Sequence, residues 1–214
     1  MDNLLSQASQ SLSQNKQLWI LAGGNGAGKS TFYRIQLEPL GLPFINADIL
    51  AKELYPESPE QHSYEAARLA AGKCSELLLE GQSFCFATVF SHPSKIDFLA
   101  EAKTLGYEIV LVMIHLDSDS LNKARVSQRI SEGGHSVPEK KIEQRIPRLL
   151  VHIKEALPLC DHVRILNNSR IDDPFKQMAI ISDGQVKFML GERPQWLMEL
   201  LGDYLKARMV LTEP

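Results

Sequence analysis

Short apolar runs alternate with longer segments of helical periodicity along most of the chain. The apolar runs predict five strands, at residues 18–22, 43–47, 82–90, 108–116 and 162–166. Each of the first four runs is followed by a segment that can return over the sheet as a helix. This alternation is typical of an α/β fold with a mostly parallel sheet.

The second half of the chain ends with a different pattern. Two further runs, 177–182 and 185–190, flank the dipeptide Asp183-Gly184 and predict a β-hairpin. An amphipathic segment follows at 195–209, and we expect this helix to pack on the sheet. Earlier helix starts are predicted by capping patterns at Ser58 and Ser94. The sequence therefore predicts an α/β core with a C-terminal hairpin and helix.

Composition sets the class of protein but not its chemistry. The chain has 214 residues, of which 44% are hydrophobic, and this suits one domain over 17–214 after a polar tail or frayed helix at 1–16. The formal net charge of −3 and the lack of a long apolar run disfavour a nucleic-acid or membrane partner for the whole protein. The three cysteines lack CxxC spacing, which favours reduced thiols and a cytoplasmic location.

The strongest chemical pattern is a phosphate loop at residues 23–30, which read GGNGAGKS. The stretch satisfies G-x-x-x-x-G-K-[ST] and lies between an apolar strand and a helical segment, as the motif requires. Its backbone N–H groups would surround nucleotide phosphates, with Lys29 at the β- and γ-phosphates and Ser30 on Mg²⁺. We therefore expect ATP and Mg²⁺ as cofactors, and nucleotide contacts from Gly23, Asn25, Gly26, Ala27, Gly28, Lys29, Ser30 and Thr31.

The phosphate loop does not by itself specify the reaction. The chain lacks the N-K-x-D guanine motif of GTPases, and it is short for an AAA or transporter ATPase with accessory parts. Elimination thus favours a small kinase. Asp48, after the second strand, is a candidate general base or only the N-cap of the next helix. Asp117, after the fourth strand, is a candidate Mg²⁺ ligand or the start of a capped loop.

The segment from Lys123 to Lys154 is strongly basic, with eight basic and three acidic side chains. Arg125 and Arg129 share one helix face, and the glycine-rich stretch 133–135 separates that helix from the next. Two helices with inward arginines predict a lid at about 117–150 that closes over transferring phosphates. A solvated basic face or a docking patch for an acidic partner would carry the same pattern.

Taken together, the stretches AGGNGAGKSTF, FINAD, ATVFSHPSKIDFL, RVSQRISEGGHSVPEKKIEQRIPR and NNS resemble the zeta-toxin-type P-loop kinases, in the same order over roughly 18–196. The resemblance implies a sheet order 2-3-1-4-5, a helical lid and transfer of the γ-phosphate to a hydroxyl. In characterised zeta toxins the acceptor is the 3′-hydroxyl of the amino sugar in UDP-N-acetylglucosamine, and an antitoxin protein is the expected partner.

Carried over by position, the resemblance assigns roles to individual residues. It implies Asp48 as the catalytic base, Lys29 as a Walker A residue, and Arg129 and Arg145 as lid arginines that contact phosphates. Asn168 falls near the adenine side. Near the acceptor the resemblance and the lid pattern together place Asp48, Ala87, Thr88, Ser91, Arg125 and His135.

Ala87 is the departure from the family pattern. Relatives usually carry Glu at this position, which in order 2-3-1-4-5 ends the strand beside the phosphate-loop strand. Either this chain is a naturally weakened homologue, or Ala87 is an introduced substitution that disarms the enzyme. The expected function is a small-molecule kinase, acting as a zeta-like toxin and attenuated or inactive in this form. The alternatives are an ATP-binding switch without transfer and a kinase of a protein or RNA terminus.

Overall fold

A computed structural model describes residues 15–131, 139–191 and 193–209. It contains a sheet of seven strands in the order β2-β3-β1-β4-β5-β6-β7. The strands are β1 Gln17–Ala22, β2 Phe44–Asn46, β3 Phe84–Thr88, β4 Glu108–His115, β5 His162–Asn167, β6 Lys176–Ser182 and β7 Gln185–Met189. The first five are parallel and have the order 2-3-1-4-5 that the resemblance implies.

The C-terminal hairpin extends this sheet. Strand β6 pairs antiparallel with β5, and β7 pairs antiparallel with β6. The α/β kinase-like core is thus confirmed, but the sheet is larger than the five predicted strands and partly antiparallel. Antiparallel pairing is possible here because Asp183 and Gly184, both with positive φ, reverse the chain within two residues.

Seven α-helices are described in these parts of the chain. They are α1 Lys29–Phe32, α2 Ala47–Leu54, α3 Ser63–Leu79, α4 Ser94–Thr104, α5 Asp119–Ser131, α6 Glu139–Ala156 and α7 Gln195–Met209. Helix α1 continues as a π-helical turn over Tyr33–Leu37 and a 3₁₀ turn over Glu38–Leu40. None of the described helices is both long and apolar enough to span a membrane.

The core lies on both faces of the sheet because side chains alternate along each strand. On β1, Leu18 and Ile20 join a cluster with apolar side chains of α3, α4, α6 and α7. Trp19 and Leu21 join a second cluster on the other face, which includes Phe32 of α1. The sheet is therefore covered on both sides, and the carboxyl ends of its strands meet at one edge.

Two local predictions were wrong in their boundaries. The helix expected from Ser58 begins at Ser63, because residues 56–62 form turns in which His62 stacks on Tyr55 at 4.1 Å between ring centroids. Strand β3 ends at Thr88 rather than at residue 90. Phe90 takes a left-handed conformation with φ 61°, which an extended strand cannot accommodate.

Candidate active site

The phosphate loop connects β1 to α1 and needs glycine at specific points. Gly26 and Gly28 have φ of 79° and 101°, a region that residues with a β-carbon rarely adopt. A β-carbon at Gly28 would also lie 2.6 Å from Nδ2 of Asn168, and one at Gly23 would overlap the carbonyl oxygen of Ile114. The motif therefore folds into a tight loop that neighbouring elements surround closely.

Lys29 points its ammonium group back into this loop. Its Nζ donates hydrogen bonds to the carbonyl oxygens of Gly23 at 2.8 Å and Gly24 at 2.9 Å. An ammonium held by the loop in this way is positioned where nucleotide phosphates would meet the loop backbone. The residues present thus fit the polyphosphate of a nucleotide.

Helix α5 packs directly on the phosphate loop. The side-chain amide of Asn122 donates to the backbone oxygen of Asn25 at 2.9 Å. A β-carbon at Gly26 would lie 3.2 Å from Cβ of Arg125, so the loop leaves little space below this helix. Helix α6 reaches the same residue, since Nη1 of Arg145 lies 3.4 Å from Oδ1 of Asn25. Asn25 therefore contacts both helices of the expected lid.

A second support comes from the segment after β5. The side-chain amide of Asn168 donates to the carbonyl oxygen of Ala27 at 2.9 Å, and its Oδ1 accepts from the backbone N–H of Phe175 at 3.2 Å. Phe175 in turn packs edge-to-face on Phe32 of α1, with ring centroids 5.4 Å apart. Asn168 lies directly behind the phosphate loop, and its burial to 8% exposure makes this contact part of the loop's framework.

A cleft of about 800 Å³ opens beside the phosphate loop, and we call it the acceptor cleft. It brings together most of the predicted catalytic and acceptor residues with others that the sequence did not single out. The predicted members are Asn25, Lys29, Asp48, Ala87, Thr88, Ser91 and Arg145, and the added members include Glu60, Tyr64, Lys95 and Arg148.

Five predicted residues lie elsewhere or cannot be placed in the cleft. Arg125 contacts the phosphate loop but does not line the acceptor cleft. Ser30 and Thr31 lie in the first turn of α1. His135 lies outside the described residues, and the side chain of Arg129 is likewise not described, although its backbone belongs to α5.

Asp48 is not the N-cap of α2. That position belongs to Asn46, whose Oδ1 accepts hydrogen bonds from the N–H groups of Asp48 at 2.8 Å and Ile49 at 3.2 Å. The capping alternative for Asp48 is therefore wrong. Its carboxyl group lines the acceptor cleft together with Lys29. A carboxylate that shares a cleft with the lysine of a phosphate loop is a candidate proton acceptor for an attacking hydroxyl.

Ala87 is the penultimate residue of β3, which lies between β2 and β1. It pairs in register with Leu21 of β1 on one side and with Asn46 of β2 on the other. Its side chain is 5% exposed and belongs to the same apolar cluster as Ala27 of the phosphate loop. A longer acidic side chain at this position would extend toward the phosphate loop.

Asp117 has a different environment. Its Oδ1 accepts from the side-chain amide of Asn167 at 2.8 Å, and its backbone N–H donates to Ser169 Oγ. It lines a separate cavity of about 490 Å³ with Arg170 rather than the acceptor cleft. Within the described residues, no three His, Cys, Asp or Glu side chains gather as a metal site. A Mg²⁺ ion held by one hydroxyl, phosphates and water needs no such cluster.

Two cations of the cleft, Arg148 and Lys95, were not predicted from the sequence as site residues. Arg148 was part of the basic segment and shares a face of α6 with Arg145 by i,i+3 spacing, but only the tertiary packing of α6 places it in the cleft. Lys95 follows the serine that opens α4, and its charge had no predicted partner. Burial lowers the pKa of the Lys95 ammonium, whereas a solvated lysine would keep its ordinary value. The cleft is thus richer in cations than the motif search indicated.

Comparison with known proteins assigns the chain to a family. A family model described as an AAA domain matches residues 18–149, which is more than half of the chain. The chain belongs to this AAA-domain family. The short chain disfavours an AAA ATPase that carries accessory parts. The match concerns only the AAA core domain, which this chain is long enough to contain. An uncharacterized protein of Haemophilus influenzae is 27% identical over 137 residues, covering 61% of this chain and 97% of its own.

Two solved structures share the fold at low sequence identity. A chain of the PezAT chromosomal toxin–antitoxin system of Streptococcus pneumoniae aligns with a TM-score of 0.61 and 17% identity, covering 100% of this chain and 96% of its own. A chain of the AvrRxo1-ORF1:-ORF2 complex with ATP aligns with a TM-score of 0.64 and 19% identity, covering 87% and 67%. The resemblance to zeta-toxin-type P-loop kinases is thereby confirmed for the fold.

Proposed function

We propose that this protein is an ATP- and Mg²⁺-dependent kinase that transfers the γ-phosphate to a hydroxyl of a small metabolite. One observation carries the proposal: Lys29 of the phosphate loop and Asp48 line the same cleft, which is large enough for a metabolite. Phosphoryl transfer needs charge stabilisation, which Lys29 would supply, and an oriented nucleophile, whose proton Asp48 would accept.

The proposed roles combine the phosphate-loop motif, the lining of the cleft and the family resemblance. The phosphate loop would bind the nucleotide phosphates, and Ser30 would ligate Mg²⁺, which neutralises the phosphates when bound. Asp48 would accept the proton of the acceptor hydroxyl, while Arg145 and the arginine at position 129 would neutralise the transferring phosphate. Thr88, the last residue of β3, and Ser91, three residues later, both line the cleft and would hydrogen-bond the acceptor.

The acceptor that the resemblance implies is UDP-N-acetylglucosamine, which would make the protein a zeta-like toxin of the cytoplasm. The fold-level likeness to a chain of a toxin–antitoxin system supports an antitoxin protein as partner. Ala87 supports an attenuated or inactive form, because a strand end beside a phosphate loop normally offers an acid to the metal or the acceptor.

The test is a transfer assay with γ-labelled ATP and a panel of nucleotide sugars, nucleosides and sugars, UDP-N-acetylglucosamine included. We expect slow transfer to one hydroxyl acceptor and a loss of at least about a hundredfold in Asp48→Asn, the range of an absent general base. Binding of ATP should be retained in Asp48→Asn, since this residue does not belong to the phosphate loop. Transfer to water alone across the whole panel would contradict the proposal.

A second function is favoured by Ala87, namely an ATP-binding switch whose lid closes without transfer. Both α5 and α6 contact Asn25 of the phosphate loop, so nucleotide binding could be sensed directly by the expected lid. In this case ATP should bind with Mg²⁺ and increase protection of α5 and α6 from hydrogen exchange. Asp48→Asn would then leave every measured property unchanged.

A further inference from the structure

A buried amide joins helix α5 to the phosphate loop. Asn122, the fourth residue of α5, is 2% exposed, and its Nδ2 donates a 2.9 Å hydrogen bond to the backbone oxygen of Asn25. Val126, one turn further along α5, is buried to the same extent and lies beside Gly26 of the loop. The contact between α5 and the loop therefore belongs to the packed interior and not to the surface.

Gly24 owes its lack of a side chain to this amide. The phosphate-loop motif requires glycine at Gly23 and Gly28 and leaves the four positions between them open. Gly24 does not take a positive φ, so its backbone conformation does not require glycine. A β-carbon at this position, however, would lie 2.5 Å from Nδ2 of Asn122. Because that amide is buried and cannot turn aside into solvent, the approach of Asn122 explains the glycine.

The amide of Asn122 is only half satisfied. Among the described residues its Oδ1 has no hydrogen-bond partner, although this oxygen is buried. A buried acceptor of this kind destabilises the folded chain, and a leucine of similar size would fill the same space without that cost. Stability alone therefore does not explain an asparagine at this position. The feature that distinguishes it from leucine is the hydrogen bond that it donates to the phosphate loop.

The carbonyl that Asn122 holds belongs to the peptide unit between Asn25 and Gly26, which is trans. The C=O and N–H of a planar trans unit point in opposite directions, so a carbonyl turned toward α5 turns the Gly26 N–H away from α5. We propose that Asn122 is a positioning residue that directs the Gly26 N–H into the phosphate loop, where this N–H donates to a nucleotide phosphate. The inference rests on the proposed function in one respect, namely that the loop binds ATP.

The first measurement is ATP binding to the full chain by calorimetry in the presence of Mg²⁺. Asn122→Leu keeps the volume of the side chain but removes its donor. We expect it to weaken ATP binding by about tenfold, the loss of one buried hydrogen bond, while the melting temperature stays within about 4 °C of the parent chain. Inorganic triphosphate should show the same loss as ATP, because the proposed contact is to phosphate and not to the nucleoside.

A double-mutant cycle tests whether Gly24 acts through Asn122. Gly24→Ala should weaken ATP binding at least as much as Asn122→Leu, because the new methyl group displaces the amide. In the Asn122→Ala background the same change should cause no further loss, since the shorter side chain leaves room for the methyl group. The matched control is the Asn122→Leu background, in which the space stays filled and Gly24→Ala should still weaken binding.

The Gly26 N–H is observed directly by NMR in protein labelled with ¹⁵N-glycine, since the chain contains only 13 glycines. At saturating ATP the Gly26 resonance should shift strongly in the parent chain and much less in Asn122→Leu. Equal shifts in the two proteins, or an unchanged ATP affinity in Asn122→Leu, would overturn the inference. If the Asn122 variants lose ATP affinity as expected but no hydroxyl is ever phosphorylated, the role of Asn122 stands and the kinase proposal alone fails.

Discussion

The side-chain amide of Asn168 donates a 2.9 Å hydrogen bond to the carbonyl oxygen of Ala27, which joins the end of β5 to the middle of the phosphate loop. The two residues are 141 positions apart in the chain. Because both are buried, the contact cannot be replaced easily by water, and it supports a loop whose backbone must present its N–H groups in one conformation.

Asn168→Ala should therefore weaken ATP binding by about tenfold, the equivalent of one lost buried hydrogen bond with its unsatisfied acceptor. The measurement is the dissociation constant of ATP by calorimetry at fixed Mg²⁺. The matched control is Asn167→Ala, whose side chain contacts Asp117 instead of the phosphate loop. A similar loss of affinity in both variants would show that the Asn168–Ala27 contact has no special role.

Replacing Ala87 by glutamate should raise the rate of phosphoryl transfer. The residue lies between Leu21 and Asn46 in register and packs against the cluster that contains Ala27, so a carboxylate there would reach the phosphate-loop side of the cleft. We expect an increase of at least about tenfold in kcat, with Ala87→Gln as the uncharged control of similar size. If both variants transfer phosphate at the parent rate, the alignment of β3 with the family pattern is wrong.

His115 should make stability depend on pH in the acidic range. Its ring stacks on Trp196 of α7 with centroids 4.1 Å apart, and burial lowers its pKa from 6.5 to about 4, against a smaller opposing effect of Asp117. Between these two values the unfolded chain binds the proton and the folded chain does not. Stability should thus fall as pH decreases from 6.5 to 4, by up to about 3 kcal/mol.

The measurement is the free energy of unfolding in denaturant at a series of pH values. His115→Phe keeps an aromatic ring against Trp196 but cannot be protonated. We expect its stability relative to the parent chain to rise steadily as pH decreases through this window. Parallel stability curves for the two proteins would show that His115 does not contribute.

Tyr107 offers a test of the core beneath α3. Its hydroxyl lies 2.9 Å from the carbonyl oxygen of Gln82 and 3.1 Å from those of Leu77 and Leu78. The carbonyls of Leu77 and Leu78, at the end of α3, also accept from the backbone N–H groups of Gln82 and Gly81. Tyr107→Phe should reduce the free energy of unfolding by about 1 kcal/mol, since the hydrogen bond of a hydroxyl on a buried side chain is lost while the Leu77 and Leu78 carbonyls keep their backbone donors. Tyr64→Phe, on the exposed surface of α3, should change it by less than about 0.5 kcal/mol.

The elements of the fold that could be predicted from the sequence are those that depend on residues close together in the chain. Local patterns predict the strands, the hairpin at Asp183 and Gly184, and the phosphate loop. In the structure the strands and the hairpin form one sheet, and the phosphate loop follows its strand β1. The predicted helix start at Ser58 was wrong because the side chain of His62 stacks on Tyr55 and contacts Ser58, which stabilises turns where the capping pattern favoured a helix. The capping pattern indicated a helical preference from Ser58, but side-chain contacts of His62 kept residues 56–62 in turns.

For the site, the sequence by itself determined the nucleotide chemistry, because the glycines, Lys29 and Ser30 lie within eight consecutive residues. Only the tertiary structure decided what surrounds that chemistry. The register of β3 between β1 and β2 places Ala87 beside the phosphate loop, and the packing of α4 and α6 brings Lys95 and Arg148 into one cleft. These relationships depend on strand order and helix packing, which join residues far apart in the chain and leave no local pattern.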